Sequence, residues 1–148
     1  MGDTAKVSLS TGSSFFISAN FVIAESLCTG MPVDSDLFDK IEKESLYHEA
    51  LRKALAFLST RDHSAYEIRI KLLQRRFPES AIERTISHLR ESRILDDYRF
   101  ALACIESRMR KNREGYAALL AALLRKGEDR ASGQQALQEA YTTEAELE

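Results

Sequence analysis

The sequence predicts an all-α fold, with tandem three-helix repeats behind a small N-terminal β-hairpin. Three observations predict it. From Asp34 onward apolar residues recur at helical spacing. Only 6 Gly and 2 Pro interrupt 148 residues, too few for an all-β chain that turns every ten residues or so. The chain also repeats itself. Leu58 and Arg61 match Ile105 and Arg108 at an offset of 47 residues. Ile68, Leu72, Leu73 and Arg75 then match Leu119, Leu123, Leu124 and Lys126 at 51, as does Ile86 with Leu137. This divides the chain into residues 1–45 (hairpin and short helix), 46–93 (first repeat), 94–141 (second repeat) and 142–148 (acidic tail).

Residues 6–10 alternate polar and apolar, 11–13 are turn-like, and Phe15 to Ala19 is β-prone, which together make a hairpin. Gly30 and Pro32 break the segment after it. Asp34 or Ser35 caps a short helix holding Leu37, Phe38 and Ile41. A second helix runs from about Leu46 to Thr60, with Leu51, Ala54, Leu55 and Leu58 on one stripe. Ser64 and Glu67 have capping-box spacing, in which each side chain satisfies the other residue's amide. The helix they open should bury Ile68, Leu72 and Leu73 and expose Arg69, Lys71, Gln74, Arg75 and Arg76. Pro78 suits the first turn of the next helix, which stacks Ile82, Ile86 and Leu89. Asp96 or Asp97 caps a longer helix with apolar residues on two sides, among them Phe100, Ala101, Cys104 and Ile105. A helix from Tyr116 to Arg125 stops at Lys126-Gly127. The last helix covers about Arg130 to Tyr141 and leaves a frayed acidic end.

The net charge of −2 conceals a segregation: residues 1–46 carry −4, residues 47–130 carry +6 and residues 131–148 carry −4. The basic middle clusters as Arg69, Lys71, Arg75 and Arg76, then Arg108, Arg110, Lys111 and Arg113, then Arg125, Lys126 and Arg130. Arginine donates two parallel hydrogen bonds to carboxylate or phosphate. Such clusters suit an anionic partner, and equally a solvated helix face or cations near helix C-termini.

Catalytic chemistry finds no constellation. His48, His63 and His88 lack neighbours at metal-ligand spacing, and Asp96-Asp97 diverge on a helix and so cannot share one task. The glycines are isolated, so there is no phosphate-cradling loop or cofactor site. The reading is non-enzymatic, without cofactor or metal. Cys28 and Cys104 fit no disulfide scaffold and suggest a reducing compartment. The longest apolar run, Phe15 to Ala24, holds Ser18 and Asn20 and falls far short of the ~20 residues of a membrane span. It also lacks the flanks of a signal peptide. A soluble, cytoplasmic monomer is expected.

Leu58-Ser59-Thr60-Arg61-Asp62-His63-Ser64-Ala65-Tyr66-Glu67-Ile68 resembles the L-x-x-R-x-x-S-x-x-E-L entry into the second helix of the RecX family, regulators of the RecA recombinase. Ile94-Leu95-Asp96-Asp97-Tyr98-Arg99-Phe100-Ala101 resembles that family's hydrophobic-L-D-D-x-x-F-A segment, its most specific signature. Arg113-Glu114-Gly115, Leu123 and Lys126-Gly127 resemble R-x-G … L-x-x-K-G. The N-terminal hairpin and Gly30-Met31-Pro32 resemble the leader of longer members, so the likeness covers about residues 5–141.

The resemblance implies tandem three-helix repeats, commonly three where this chain carries two. It implies a non-enzymatic protein that lies in the groove of the RecA–DNA filament, with its single-stranded DNA as a further contact, and restrains filament growth and activity in homologous recombination, DNA repair and the SOS response. The motif residues Arg61, Ser64, Glu67, Leu95, Asp96, Asp97, Phe100, Gly115 and Gly127 read mainly as structural. The expected contact residues are Arg69, Lys71, Arg75, Arg76, Arg108, Arg110, Lys111, Arg113 and Lys126. The alternatives are a small helical DNA-binding module acting on DNA directly and a generic helical-repeat adaptor.

Overall fold

The computed structural model describes residues 3–112 and 114–146. Their elements, in order, are β1 (Thr4–Ser8), β2 (Ser14–Ser18), α1 (Ala19–Ala24), α2 (Ser35–Thr60), α3 (Ala65–Gln74), α4 (Glu79–Glu91), α5 (Asp97–Asn112), α6 (Tyr116–Arg125) and α7 (Arg130–Glu146). The fold is mostly helical with one small hairpin. None of the described helices is long and apolar enough to cross a membrane. The chain packs as two units, Met1–Ala56 with Leu72–Thr85, and Phe57–Lys71 with Ile86–Glu148.

In the first unit, β1 and β2 pair antiparallel from Thr4↔Ser18 to Ser8↔Ser14. Gly12 takes the positive φ (+94°) that the connecting turn needs. Alternation buries Ile17, while Phe15 meets Phe38 of α2 edge-on at 5.7 Å. Ser18 caps α1 by accepting the Phe21 N–H at 3.2 Å. Asp34 caps α2 through the Leu37 N–H at 2.8 Å.

α2 corrects the expectation of two helices. It runs unbroken for 26 residues because Glu42 to Leu46 contains no breaker. The apolar period is interrupted by two polar residues that are themselves buried, Glu44 and His48. Each has a partner in the same unit. Arg84 pairs with Glu44 at 2.6 Å and lies over the Tyr47 ring at 3.9 Å. His48 Nε2 lies 3.1 Å from the Thr4 hydroxyl, tying strand to helix.

In the second unit Ala101, Ile105, Leu119, Leu123, Ala136 and Leu137 form a buried cluster, with Tyr98, Leu102, Cys104 and Met109 packed against it. That cluster takes up one apolar side of α5; of the other side, Phe100 is buried and Ala103 is exposed. Asp129 caps α7 through the Ala131 and Ser132 N–H groups at 2.9 and 3.1 Å. α7 then runs to Glu146, beyond the expected end at Tyr141. Residues 142–146, read from sequence as a frayed tail, therefore continue the helix, and 147–148 lie outside the described residues.

Helices α3 and α6 are both 10 residues long and begin 51 residues apart. Their ends bond alike. Arg76 donates to the Leu73 carbonyl and Phe77 to the Leu72 carbonyl, as Gly127 does to Leu124 and Glu128 to Leu123. Arg76 (φ 63°) and Gly127 (φ 85°) are the left-handed residues that end the two helices. The repeat read from side chains is thus also a repeat of backbone hydrogen bonds.

Leu73 departs from expectation. It is 42% exposed, because the buried stripe of α3 runs through Ile68 and Leu72 at i and i+4 and leaves the next residue off that face.

Candidate partner-binding groove

Within the second unit, the chain just past α2 and one face each of α5 and α6 line an open groove of about 570 Å³. α5 contributes Phe100, Ala103, Cys104, Ser107 and Arg108, residues that recur every three or four positions and so share a face. Ala122 and Arg125, with Lys126 just after α6, form the facing wall, and Arg61 and Asp62 close one end. Four cations therefore surround small apolar side chains.

The start of α3 fixes this wall. Ser64 Oγ accepts the Glu67 N–H at 3.1 Å and donates to the Lys126 carbonyl at 2.9 Å. One hydroxyl thus caps α3 and holds the end of α6. The capping box is only half formed. The Glu67 carboxylate turns instead to Arg61 at 3.0 Å and Lys126 at 3.6 Å. Burial works to raise the Glu67 pKa, but the Arg61 hydrogen bond and the charges of Arg61 and Lys126 hold it below its ordinary value.

A second amide at the start of α3, on Ala65, donates to Asp97 at 2.7 Å, and Arg90 reaches the same carboxylate at 2.8 Å. The two adjacent aspartates therefore divide their work. Asp96 caps its own helix through the Arg99 N–H at 3.0 Å, and Asp97 caps α3 from a distance of 32 residues in sequence.

Lys126 Nζ sits 5.3 Å from the Phe100 ring centre, and Phe100 itself is buried. Arg108 pairs with Glu114 at 3.3 Å. Arg125 is exposed and, among the described residues, pairs with no carboxylate. Burial pushes the Cys104 thiol above its ordinary pKa, which suits a small packing residue. His63 is buried beneath the groove's Arg61 end, with Nδ1 at 2.9 Å from the Arg61 carbonyl. A carbonyl can only accept, so Nδ1 carries the proton and Nε2, which has no partner among the described residues, is unprotonated. Burial lowers the His63 pKa in keeping with that neutral form.

The sequence-predicted contact residues are dispersed. Arg108 and Lys126 line the groove together. Arg69 is half-buried on α3, and Lys71 lies 4.7 Å from the Phe57 ring centre. Arg75 and Arg76 are exposed just beyond α3. Arg110 donates to the Glu106 carbonyl and lines a separate groove with Leu102, Met109 and Glu139. Lys111 is exposed, and Arg113 lies outside the described residues.

Among the motif residues, Leu95 is buried, Gly115 begins α6 without a side-chain cap, and Gly127 passes so close to Tyr66 that an added Cβ would lie 2.2 Å from its ring. Sequence reasoning left Arg61 and Arg125 out of the contact set. The 47-residue match of Arg61 with Arg108 was the available signal, since both arginines line this one groove.

Fold and groove together define a helical-repeat protein with an N-terminal hairpin and an arginine-lined groove. Residues 50–89 match the family model described as RecX, first three-helix domain. A regulatory protein RecX from Clostridium acetobutylicum is 32% identical over 125 residues, covering 84% of this chain and 58% of that protein. One from Halalkalibacterium halodurans is 30% identical over 113 residues, covering 76% of this chain and 42% of that protein. A crystal structure of regulatory protein RecX superposes with a TM-score of 0.77 at 21% identity, covering 90% of this chain and 66% of that one. RecX from Lactobacillus salivarius gives 0.60 at 23% identity, covering 62% and 60%; these two likenesses show the fold. The chain belongs to the RecX family, whose named members are regulatory proteins. It spans about half the length of the curated relatives it matches.

Proposed function

We propose that this chain regulates the RecA recombinase by binding the RecA–DNA filament, chiefly restraining it, and that it does so by contact and without catalysis. The observation that carries the reading is the groove ringed by Arg61, Arg108, Arg125 and Lys126 on a chain of the RecX family. A cationic surface recruits an anionic partner by steering and by charge-assisted hydrogen bonds. Arg61 and Arg108 are held in ion pairs, so little of their side-chain entropy remains to be lost on docking. Arg75, Arg76 and Lys111, which are exposed, extend the contact set on this reading. The working form is a monomer in the cytoplasm, where filament and DNA are found.

The test is the single-stranded-DNA-dependent ATPase of RecA, titrated with this chain. Dose-dependent loss of ATP hydrolysis supports the reading. Undiminished hydrolysis at saturating chain removes it, and binding to naked duplex DNA as tight as to the filament would favour a direct DNA-binding module, with a steep salt slope.

A further inference from the structure

We propose that the groove receives an acidic polypeptide segment of its protein partner, through spaced carboxylates, and that it does not receive a nucleic-acid strand. This deepens the regulatory reading above and rests on it. Two of the groove's cations already pair with carboxylates in the folded chain. Arg61 holds Glu67 at 3.0 Å and Arg108 holds Glu114 at 3.3 Å. An incoming carboxylate would exchange like for like on the same planar forks. Arg125, exposed and without a carboxylate partner among the described residues, is the position open to a first contact.

The rest of the groove argues against nucleic acid. Single strands are gripped by aromatic rings on which bases stack. The ring that lines this groove, Phe100, is only 4% exposed and has the Lys126 ammonium over it. Ala103 and Cys104 offer small apolar contact, suited to the short side chains between acidic residues of a peptide. Asp62 at the rim would repel a continuous phosphate track, while a peptide can place a neutral residue opposite it.

The experiment is fluorescence anisotropy on the full chain with two labelled probes: a peptide of alternating glutamate and alanine, and an oligodeoxythymidine strand of equal charge. The peptide is expected to bind more tightly than the strand. Arg108→Glu combined with Arg125→Glu should weaken peptide binding about tenfold or more and leave strand binding little changed. If the double variant loses its helical circular dichroism, Arg125→Glu alone makes the same comparison, since that side chain is exposed and forms no ion pair among the described residues. Absence of peptide binding, or peptide binding unchanged by either variant, overturns the proposal. Tighter strand binding that the same variants abolish also overturns it and makes the groove a nucleic-acid surface. RecA inhibition that survives a negative peptide result would leave the regulatory reading standing without this occupant.

Discussion

Helices α3 and α6 share a length and a pattern of terminal hydrogen bonds, yet different side chains serve the same positions. α3 opens on Ser64, whose hydroxyl caps it, with Asp97 adding a second acceptor. α6 opens on Gly115, which makes no side-chain cap. α3 ends on a left-handed Arg76, α6 on a left-handed Gly127. The next position holds a buried Phe77 after α3 and a buried Glu128 after α6. A helix end of this kind favours an apolar contact at that place, which Phe77 supplies and Glu128 does not. The backbone frame is thus the shared unit of the repeat, and side chains within it can be exchanged for support from elsewhere.

The comparison can be broken most sharply at the left-handed positions. Gly127→Ala should cost about 3 kcal/mol, from backbone strain and from overpacking. The new Cβ would lie 2.2 Å from the Tyr66 ring base, which cannot swing aside as the tip of a flexible side chain would. Urea denaturation of both proteins measures it. A loss of only about 1–2 kcal/mol would mean that strain alone is at work.

Ser64→Ala removes both a cap and the bond to the Lys126 carbonyl, and should cost about 2 kcal/mol. Gly115→Ser, the matching change at α6, should alter stability by only a few tenths, about 0.3 kcal/mol. A loss of only about 1 kcal/mol at Ser64, the cap alone, would show that the Lys126 contact contributes nothing.

Glu128 gives the comparison a pH axis. Burial first, then the neighbouring Asp97 and Asp129, push its pKa to about 7 from an ordinary value of 4.5. The folded chain therefore binds more protons than the unfolded chain between those values, and stability falls as pH rises across that window, then levels off. Glu128→Gln stays neutral and should remove this decline, gaining about 1 kcal/mol above pH 7 after allowance for solvent screening. Thermal melts of both proteins between acid and mildly alkaline pH measure it. Parallel pH profiles would contradict the buried-carboxyl account.

A small gain is expected at Arg76. Arg76→Gly relieves the left-handed strain but frees the unfolded chain, for a net gain of about 0.5 kcal/mol in the same denaturation experiment.

The helices and the repeat were legible because apolar spacing and chain breakers act locally. The hairpin, the caps at Asp34 and Asp96, and the Lys126-Gly127 stop belong to the same class. The unbroken α2 was hidden because Glu44 and His48 are polar residues on its buried stripe, satisfied by Arg84 and Thr4 from distant sequence. Asp96, one of the two expected caps, does cap that helix, but the service of Asp97 to Ala65, a residue 32 positions earlier, leaves no local signal. The groove was least legible. It draws on the chain around Arg61, α5 and α6, and charge clusters counted along the sequence place Arg110 beside Arg108 although the two side chains line different grooves.

The measurement closest to the central claim compares the chain with its Arg108→Glu, Arg125→Glu double variant in the single-stranded-DNA-dependent ATPase of RecA. The account predicts that the parent chain suppresses ATP hydrolysis and that the folded double variant needs about tenfold more protein for the same suppression. Equal suppression by both proteins would contradict the assignment of the groove, and suppression by neither would contradict the regulatory reading itself.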